Sequence, residues 1–321
     1  MIKTTNENGI FFVEAPFHIL GALEAIKEYQ LKQYTIYVRL SGNDKQLMNV
    51  VKKFFPNDEN IKYLTLQNKK NITLSAYFVT LKILLFMLIG HFKYDYVFLG
   101  NFESNFLKLF LRVVPKNKIV LLDDGIKTFF IQAGFTLENN YNIFTMLYRI
   151  KPLVNQTIRY NKFKYLKELY KIEDKSHILQ KNEILFLGSK LCEEGILDEK
   201  KYMSIMHTIV ELYSSYKIVY IPHRGENIDK LNSVLVRYKN LTIKEIDYPI
   251  EIYLLEEEII PCKVLSFYSA ALLTIKLLYD KIEVNSILFD YSHSCYRNNI
   301  DLAYSGLEEY NINILKEISF V

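Results

Sequence analysis

The chain has 321 residues, 50% hydrophobic and 24% charged, with 40 Lys and Arg against 36 Asp and Glu, a formal net charge of +4. That apolar content excludes a disordered chain, and the length fits two domains of near-equal size better than one. So small a basic excess, with no Lys/Arg stripe, argues against nucleic acid as a partner; it is compatible with an anionic substrate or a negatively charged membrane surface.

From the N-terminus, the polar stretch Met1 to Gly9 carries no expected signal peptide and runs into a predicted strand, Gly9 to Glu14. A helix follows from Pro16 to Tyr29, with the proline suited to its first turn. Gln33 to Leu40 reads as a strand, Asp44 to Phe54 as a helix and Ile61 to Leu66 as a short strand. The apolar stretch Leu74 to Phe92 has an uninterrupted run of only seven residues, Ile83 to Ile89, whereas a spanning helix needs about 20. A buried helix is therefore expected there, with peripheral membrane attachment through an apolar face as a further use. Tyr96 to Leu99 is a strand ending at Gly100-Asn101, Ser104 to Val113 a helix, and Lys118 to Leu122 a strand. Gly134 to Lys181 reads as connecting structure between domains. A second alternating series then begins. Ile184 to Leu187 is a strand, Glu199 to Tyr216 a helix, Lys217 to Ile221 a strand and Ile228 to Tyr238 a helix. Leu241 to Glu245 is a strand, Val264 to Ser266 ends another, Ser269 to Tyr279 is a helix, and Ile287 to Phe289 is a last strand. Strands alternating with helices indicate parallel β-α-β units, hence two doubly wound α/β domains, 1–150 and 151–321. The cysteines Cys192, Cys262 and Cys295 are odd in number and widely spaced, which fits a reducing cytoplasm rather than a disulfide framework or metal knuckle.

Three segments place polar chemistry at the carboxyl ends of buried strands, where open α/β sheets bind ligands. The first is Ile119-Val120-Leu121-Leu122-Asp123-Asp124-Gly125. Two adjacent acids are costly to desolvate, so a cleft that keeps them uses them, and Gly125 permits a sharp turn or a close approach to ligand. Solvated acids in a strand-end turn are the plain alternative. The second is Tyr220-Ile221-Pro222-His223-Arg224-Gly225-Glu226, which offers an imidazole for hydrogen bonding or proton donation and a guanidinium suited to phosphate or carboxylate. The third runs from Val264 through Ser266 and Ser269 into an apolar helix. Ser269 reads as a helix cap, and the same helix N-terminus can also bind an anion.

Together these segments resemble the bacterial sialyltransferases of lipooligosaccharide and capsule synthesis, whose acidic-acidic-Gly, His-Pro and Ser-Ser/Thr motifs occur in that order. Here they are Asp123-Asp124-Gly125, His223-Arg224 with proline before rather than after the histidine, and Ser269-Ala270. Pro16-Phe17-His18, Gly100-Asn101, Pro249-Ile250-Glu251 and Pro261 extend the likeness over most of the chain. The resemblance implies a GT-B fold with two Rossmann-like domains facing across a cleft, residues 1–150 on the acceptor side and 151–321 on the donor side. It implies metal-independent, inverting transfer of sialic acid from CMP-sialic acid to a sugar hydroxyl of a surface glycan. No cofactor is then needed, and the setting is cytoplasmic, in contact with the inner membrane at most peripherally. Asp123 by preference, or Asp124, would be the base, and His223 would assist the departing phosphate. Arg224, Ser266 and Ser269 would bind that phosphate and Glu251 the ribose or base, with Asn101 and His18 at the sugar or acceptor. The alternatives are a GT-B transferase for another nucleotide sugar (CMP-Kdo or a UDP- or GDP-hexose) and a non-catalytic nucleotide-sugar-binding protein.

Overall fold

The computed structural model describes residues 7–42, 44–65, 77–78, 81–83, 85, 94–132, 141–147, 157–172 and 178–316. The chain divides into two compact units, Met1–Leu169 with Asp247–Pro249, and Tyr170–Ile246 with Ile250–Val321.

In the first unit the elements are β1 (Asn8–Val13), α1 (Pro16–Glu28), β2 (Gln33–Leu40), α2 (Lys45–Phe54), β3 (Ile61–Thr65) and β4 (Tyr96–Leu99). They continue with α3 (Asn105–Val113), β5 (Ile119–Leu121), α4 (Lys127–Gln132), β6 (Asn142–Thr145), β7 (Ile158–Tyr160) and α5 (Lys164–Tyr170). The described strands form one parallel sheet in the order β3-β2-β1-β4-β5-β6-β7. Continuous apolar runs make this possible, because helices cover both faces of a parallel sheet. Ile10, Phe12, Val97, Leu99 and Leu121 pack against Phe106, Leu107 and Phe110 of α3 on one face. On the other face, Phe11 stacks on Phe98 with ring centroids 4.2 Å apart. Each such side chain contributes roughly 1.5–3 kcal/mol by leaving water.

The second unit contains β8 (Ile178–Leu187), α6 (Glu199–Leu212), β9 (Lys217–Ile221), α7 (Asn232–Arg237), β10 (Leu241–Ile243) and α8 (Ile250–Glu256). It ends with β11 (Ile259–Ser266), α9 (Ala270–Leu278), β12 (Glu283–Ile287), α10 (Arg297–Glu309) and β13 (Asn313–Leu315). Its sheet is also parallel, in the order β10-β9-β8-β11-β12-β13. In each sheet the strand order reverses beside the first strand, between β1 and β4 and between β8 and β11. Such switch points open a crevice at the strands' carboxyl ends.

The expected connecting stretch contributes β6 and β7 to the first sheet and α5 beside it. Strands of four and three residues are too short to show a period. The expected boundary at 150/151 lies outside the described residues. So does most of the apolar helix expected near 74–91, of which residues 77–78, 81–83 and 85 are helical. Among the described residues, no helix is long and apolar enough to cross a membrane. The helix expected over Glu199 to Tyr216 ends at Leu212, and the last strand expected at Ile287 to Phe289 is β12, over Glu283–Ile287. α10 opens on the polar Arg297-Asn298-Asn299, which hides its apolar stripe of Ile300, Ala303, Tyr304 and Leu307.

Candidate active site

In the first unit, polar side chains gather at the β1/β4 switch point. Ala15 is extended, as a residue before proline prefers, so the chain leaves β1 and turns directly into α1. His18, the third residue of α1, leans back toward the helix start. There the Glu14 N–H donates to His18 Nδ1 at 3.1 Å, and His18 Nε2 lies 3.1 Å from Asp124 Oδ1. The ring sits against Gly100 so closely that a Cβ at that glycine would fall 2.5 Å from His18 Cγ.

The two adjacent acids have different surroundings. Asp123 is 1% exposed, and both its oxygens accept hydrogen bonds at 2.6 Å, from Thr145 Oγ1 and from the Met146 N–H. Burial pushes its carboxyl up to about 6, against the pull of those bonds. Asp124 has a 19% exposed side chain, and its N–H donates to Thr128 Oγ1 at 3.1 Å. Gly125 closes the turn with φ +60°, a conformation that costs glycine little.

Beneath His18 lies a buried cluster. Arg39 Nη1 donates to Glu14 Oε1 at 2.8 Å and to Ser104 Oγ at 3.1 Å, and Ser104 Oγ donates to the same carboxylate oxygen at 2.8 Å. Asn101 Nδ2 reaches Glu14 Oε2 at 3.2 Å, while its Oδ1 accepts from the N–H groups of Glu103 and Ser104. Asn101 thus shapes the turn into α3.

In the second unit, His223 stands just beyond β9. The Gly225 N–H donates to its Nδ1 at 3.1 Å, which leaves the ring proton on Nε2. Burial first, then the neighbouring Lys190 and Arg224 cations, push the imidazole down to about 4. The turn is anchored by Glu226, whose side chain is 0% exposed. Its Oε2 accepts the His223 N–H at 3.0 Å. Its Oε1 meets Tyr220 Oη at 2.5 Å, Lys230 Nζ at 2.9 Å and Tyr202 Oη at 3.1 Å. Burial alone pulls the Lys230 ammonium down, but its bonds to Glu226 and Glu193 raise it overall.

Further along the same sheet edge, Ser269 caps α9, accepting the Ala271 N–H at 3.3 Å. Ser266 is fully buried and donates to the Leu187 carbonyl at 2.8 Å, tying β11 to β8 across the switch point. Glu251 is buried at the start of α8, accepts from Thr274 Oγ1 of α9 at 2.6 Å, and is pushed up by that burial. Among the described residues, no group of three or more His, Cys, Asp and Glu side chains is arranged to hold a metal ion.

No protein-family model matches the chain, and no curated protein matches it. Solved structures do. UDP-GlcNAc 2-epimerase from Neisseria meningitidis, bound to UDP-GlcNAc, is 13% identical with a TM-score of 0.57 over 98% of this chain and 96% of its own. An α/β-galactoside α-2,3-sialyltransferase from Photobacterium phosphoreum is 12% identical with a TM-score of 0.53, over 97% and 99%. MurG from Acinetobacter baumannii is 11% identical with a TM-score of 0.50, over 98% and 87%.

The fold is GT-B-like. Within that GT-B-like frame, His18 and Asp124 are in contact and Asn101 is joined to them through Glu14. His223 and Arg224 share one turn, and α9 links Ser269 to Glu251 through Thr274. Glu14, Arg39, Ser104, Thr145, Lys190 and Lys230 belong to these clusters and to none of the three sequence motifs. Glu14 had the same signal as Asp123, an acid ending the buried run Ile10-Phe11-Phe12-Val13. Arg39 lies inside a strand and Lys230 in a helical turn, where a cation reads as solvated.

Proposed function

We propose that the protein is an inverting glycosyltransferase whose donor, following the motif resemblance, is CMP-sialic acid and whose acceptor is a glycan hydroxyl. The observation that carries the proposal is the Asp124–His18 pair at the β1/β4 switch point, an aligned and partly exposed carboxylate where a reacting hydroxyl can be deprotonated. Asp124 suits this role better than Asp123, whose two oxygens are already bonded inside the sheet. In the reaction, Asp124 takes the proton from the acceptor hydroxyl as its oxygen bonds to the anomeric carbon. The bond from that carbon to the phosphate oxygen breaks, and CMP leaves with the electron pair.

The second unit's chemistry suits the leaving phosphate. His223 donates from Nε2, Lys190 and Arg224 supply positive charge, and the N-terminus of α9 with Ser269 adds backbone donors. Ser266 and Glu251, both committed to buried partners, support the site from beneath in this reading. The likeness to the Photobacterium sialyltransferase agrees with the resemblance, and the likeness to UDP-GlcNAc 2-epimerase favours a nucleotide sugar more broadly.

The test is a donor screen by thermal shift with CMP-sialic acid, UDP-sugars and GDP-sugars, followed by transfer assays on glycan acceptors with and without EDTA. Stabilisation by CMP-sialic acid and EDTA-resistant transfer are expected. Stabilisation by UDP- or GDP-sugars alone would overturn the donor. Binding with neither transfer nor donor hydrolysis would leave a nucleotide-sugar-binding protein instead.

A further inference from the structure

Both nitrogens of His18 are committed inside the protein, and this fixes what the ring can do. The Glu14 N–H points at Nδ1, so Nδ1 is an acceptor and carries no proton. The hydrogen of the neutral ring is then on Nε2 and is donated to Asp124 Oδ1. With 1% exposure, the ring cannot itself reach a substrate. Gly100 is the residue that lets the ring lie there, because a Cβ at that position would come within 2.5 Å of Cγ and Nδ1.

The geometry points to His18 as a positioning residue, locked as the Nε2–H tautomer, that aims Asp124 and stabilises its ionised form. This rests on the reading of Asp124 as the base. A carboxylate that accepts a fixed N–H keeps its charge more readily and keeps one rotamer, so its outer edge is presented in one orientation. The role extends to Glu14 and Arg39. Arg39 and Ser104 hold the Glu14 side chain, and Glu14 supplies the backbone N–H that selects the tautomer. Among the described residues, the charged groups next to the pair include Glu14 just past β1, Arg39 in β2 and Asp123 just past β5. Arg39 is paired with Glu14, and Asp123 is bonded to Thr145 and Met146, so Asp124 is the acid that faces the ring.

Two measurements test this. In the first, the full-length protein is labelled with ¹⁵N-histidine, and long-range ¹H–¹⁵N correlation spectra are recorded at pH 7. The signals of His18, one of six histidines, are identified by their loss in His18→Gln. An Nε2–H pattern is expected. An Nδ1–H or doubly protonated ring overturns the proposal whatever the enzyme turns over, whereas absence of transfer to any acceptor overturns the proposed function instead. In the second, His18→Phe keeps the ring's bulk without the donor, and His18→Gln restores an N–H near the Nε2 position. The phenylalanine variant should lower kcat roughly 10- to 100-fold with the donor KM unchanged. It should also move the acid limb of the rate profile upward by about one pH unit, and the glutamine variant should recover most of both. Equal losses in the two variants with an unmoved limb, or no loss in either, refute the positioning role.

Discussion

If the proposed function holds, binding of CMP-sialic acid should draw a proton onto His223. In the unliganded protein the imidazole is pushed from 6.5 down to about 4 by burial and by Lys190 and Arg224. That displacement corresponds to on the order of 3 kcal/mol favouring the neutral ring. At pH 6 the ring is then about 1% protonated. A phosphate anion seated among His223, Lys190 and Arg224 compensates the two cations that disfavour the charged ring. If it restores only the ordinary value, about three-quarters of the rings are protonated at pH 6, an uptake of roughly 0.75 proton per donor bound. Calorimetric titration with CMP-sialic acid, without acceptor, in two buffers of different ionisation enthalpy measures this number directly. The donor's phosphodiester has no ionisation near pH 6, whereas free CMP brings its own second ionisation there and would blur the result. His223→Asn should bind donor without the uptake. Full binding heat in the wild-type protein with no difference between buffers would refute protonation of His223 on donor binding.

The two neighbouring acids should separate cleanly. Asp124→Asn should cut transfer at least 10²-fold, the scale of a lost general base, with CMP-sialic acid affinity within a factor of about three; Asp123→Asn should retain measurable turnover. Transfer assays and donor titrations on both variants check this, and full activity of Asp124→Asn would remove the base assignment. Asp123 should also leave a mark on stability. Its folded value of about 6 exceeds its ordinary 3.8, so its contribution is fully present below 3.8 and is lost as pH rises through 6. The stability of wild type relative to Asp123→Asn should therefore fall by roughly 1 kcal/mol between pH 5 and pH 7.5, measured by urea unfolding. Finally, Arg39→Met strands a buried Glu14 carboxylate and should destabilise the protein by about 3–5 kcal/mol. Thermal melts of this variant and of the double variant with Glu14→Gln check it, because the second change should recover part of the loss.

Much of the fold could be read from residue order. The runs Ile10-Phe11-Phe12-Val13, Val97-Phe98-Leu99, Ile119-Val120-Leu121 and Ile218-Val219-Tyr220-Ile221 are apolar on both faces, short and rich in β-branched and aromatic residues, and so read as inner strands. Their alternation with helices implies parallel sheets, and β2, β4 and β9 occupy the predicted spans. Short elements show no period, among them α4, α5, α8, β6, β7 and β13, and α10 hides an apolar stripe behind polar neighbours.

The site divides along the same line. The sequence by itself determined where chemistry is offered, because a polar residue ending an apolar strand must emerge at the carboxyl edge; Asp123, Asp124 and His223 all lie there. The preference for Asp123 over Asp124 rests on resemblance alone, since successive residues face opposite ways and only the packed neighbours say which way is inward. Tertiary structure decided that Asp123 bonds Thr145 and Met146 while Asp124 meets His18, 106 residues earlier in the chain. It also decided that Arg39 and Lys230 are buried partners of carboxylates. Burial and pairing are properties of positions brought together across a sheet. A linear pattern carries the period of each strand but not the identity of what packs beside it.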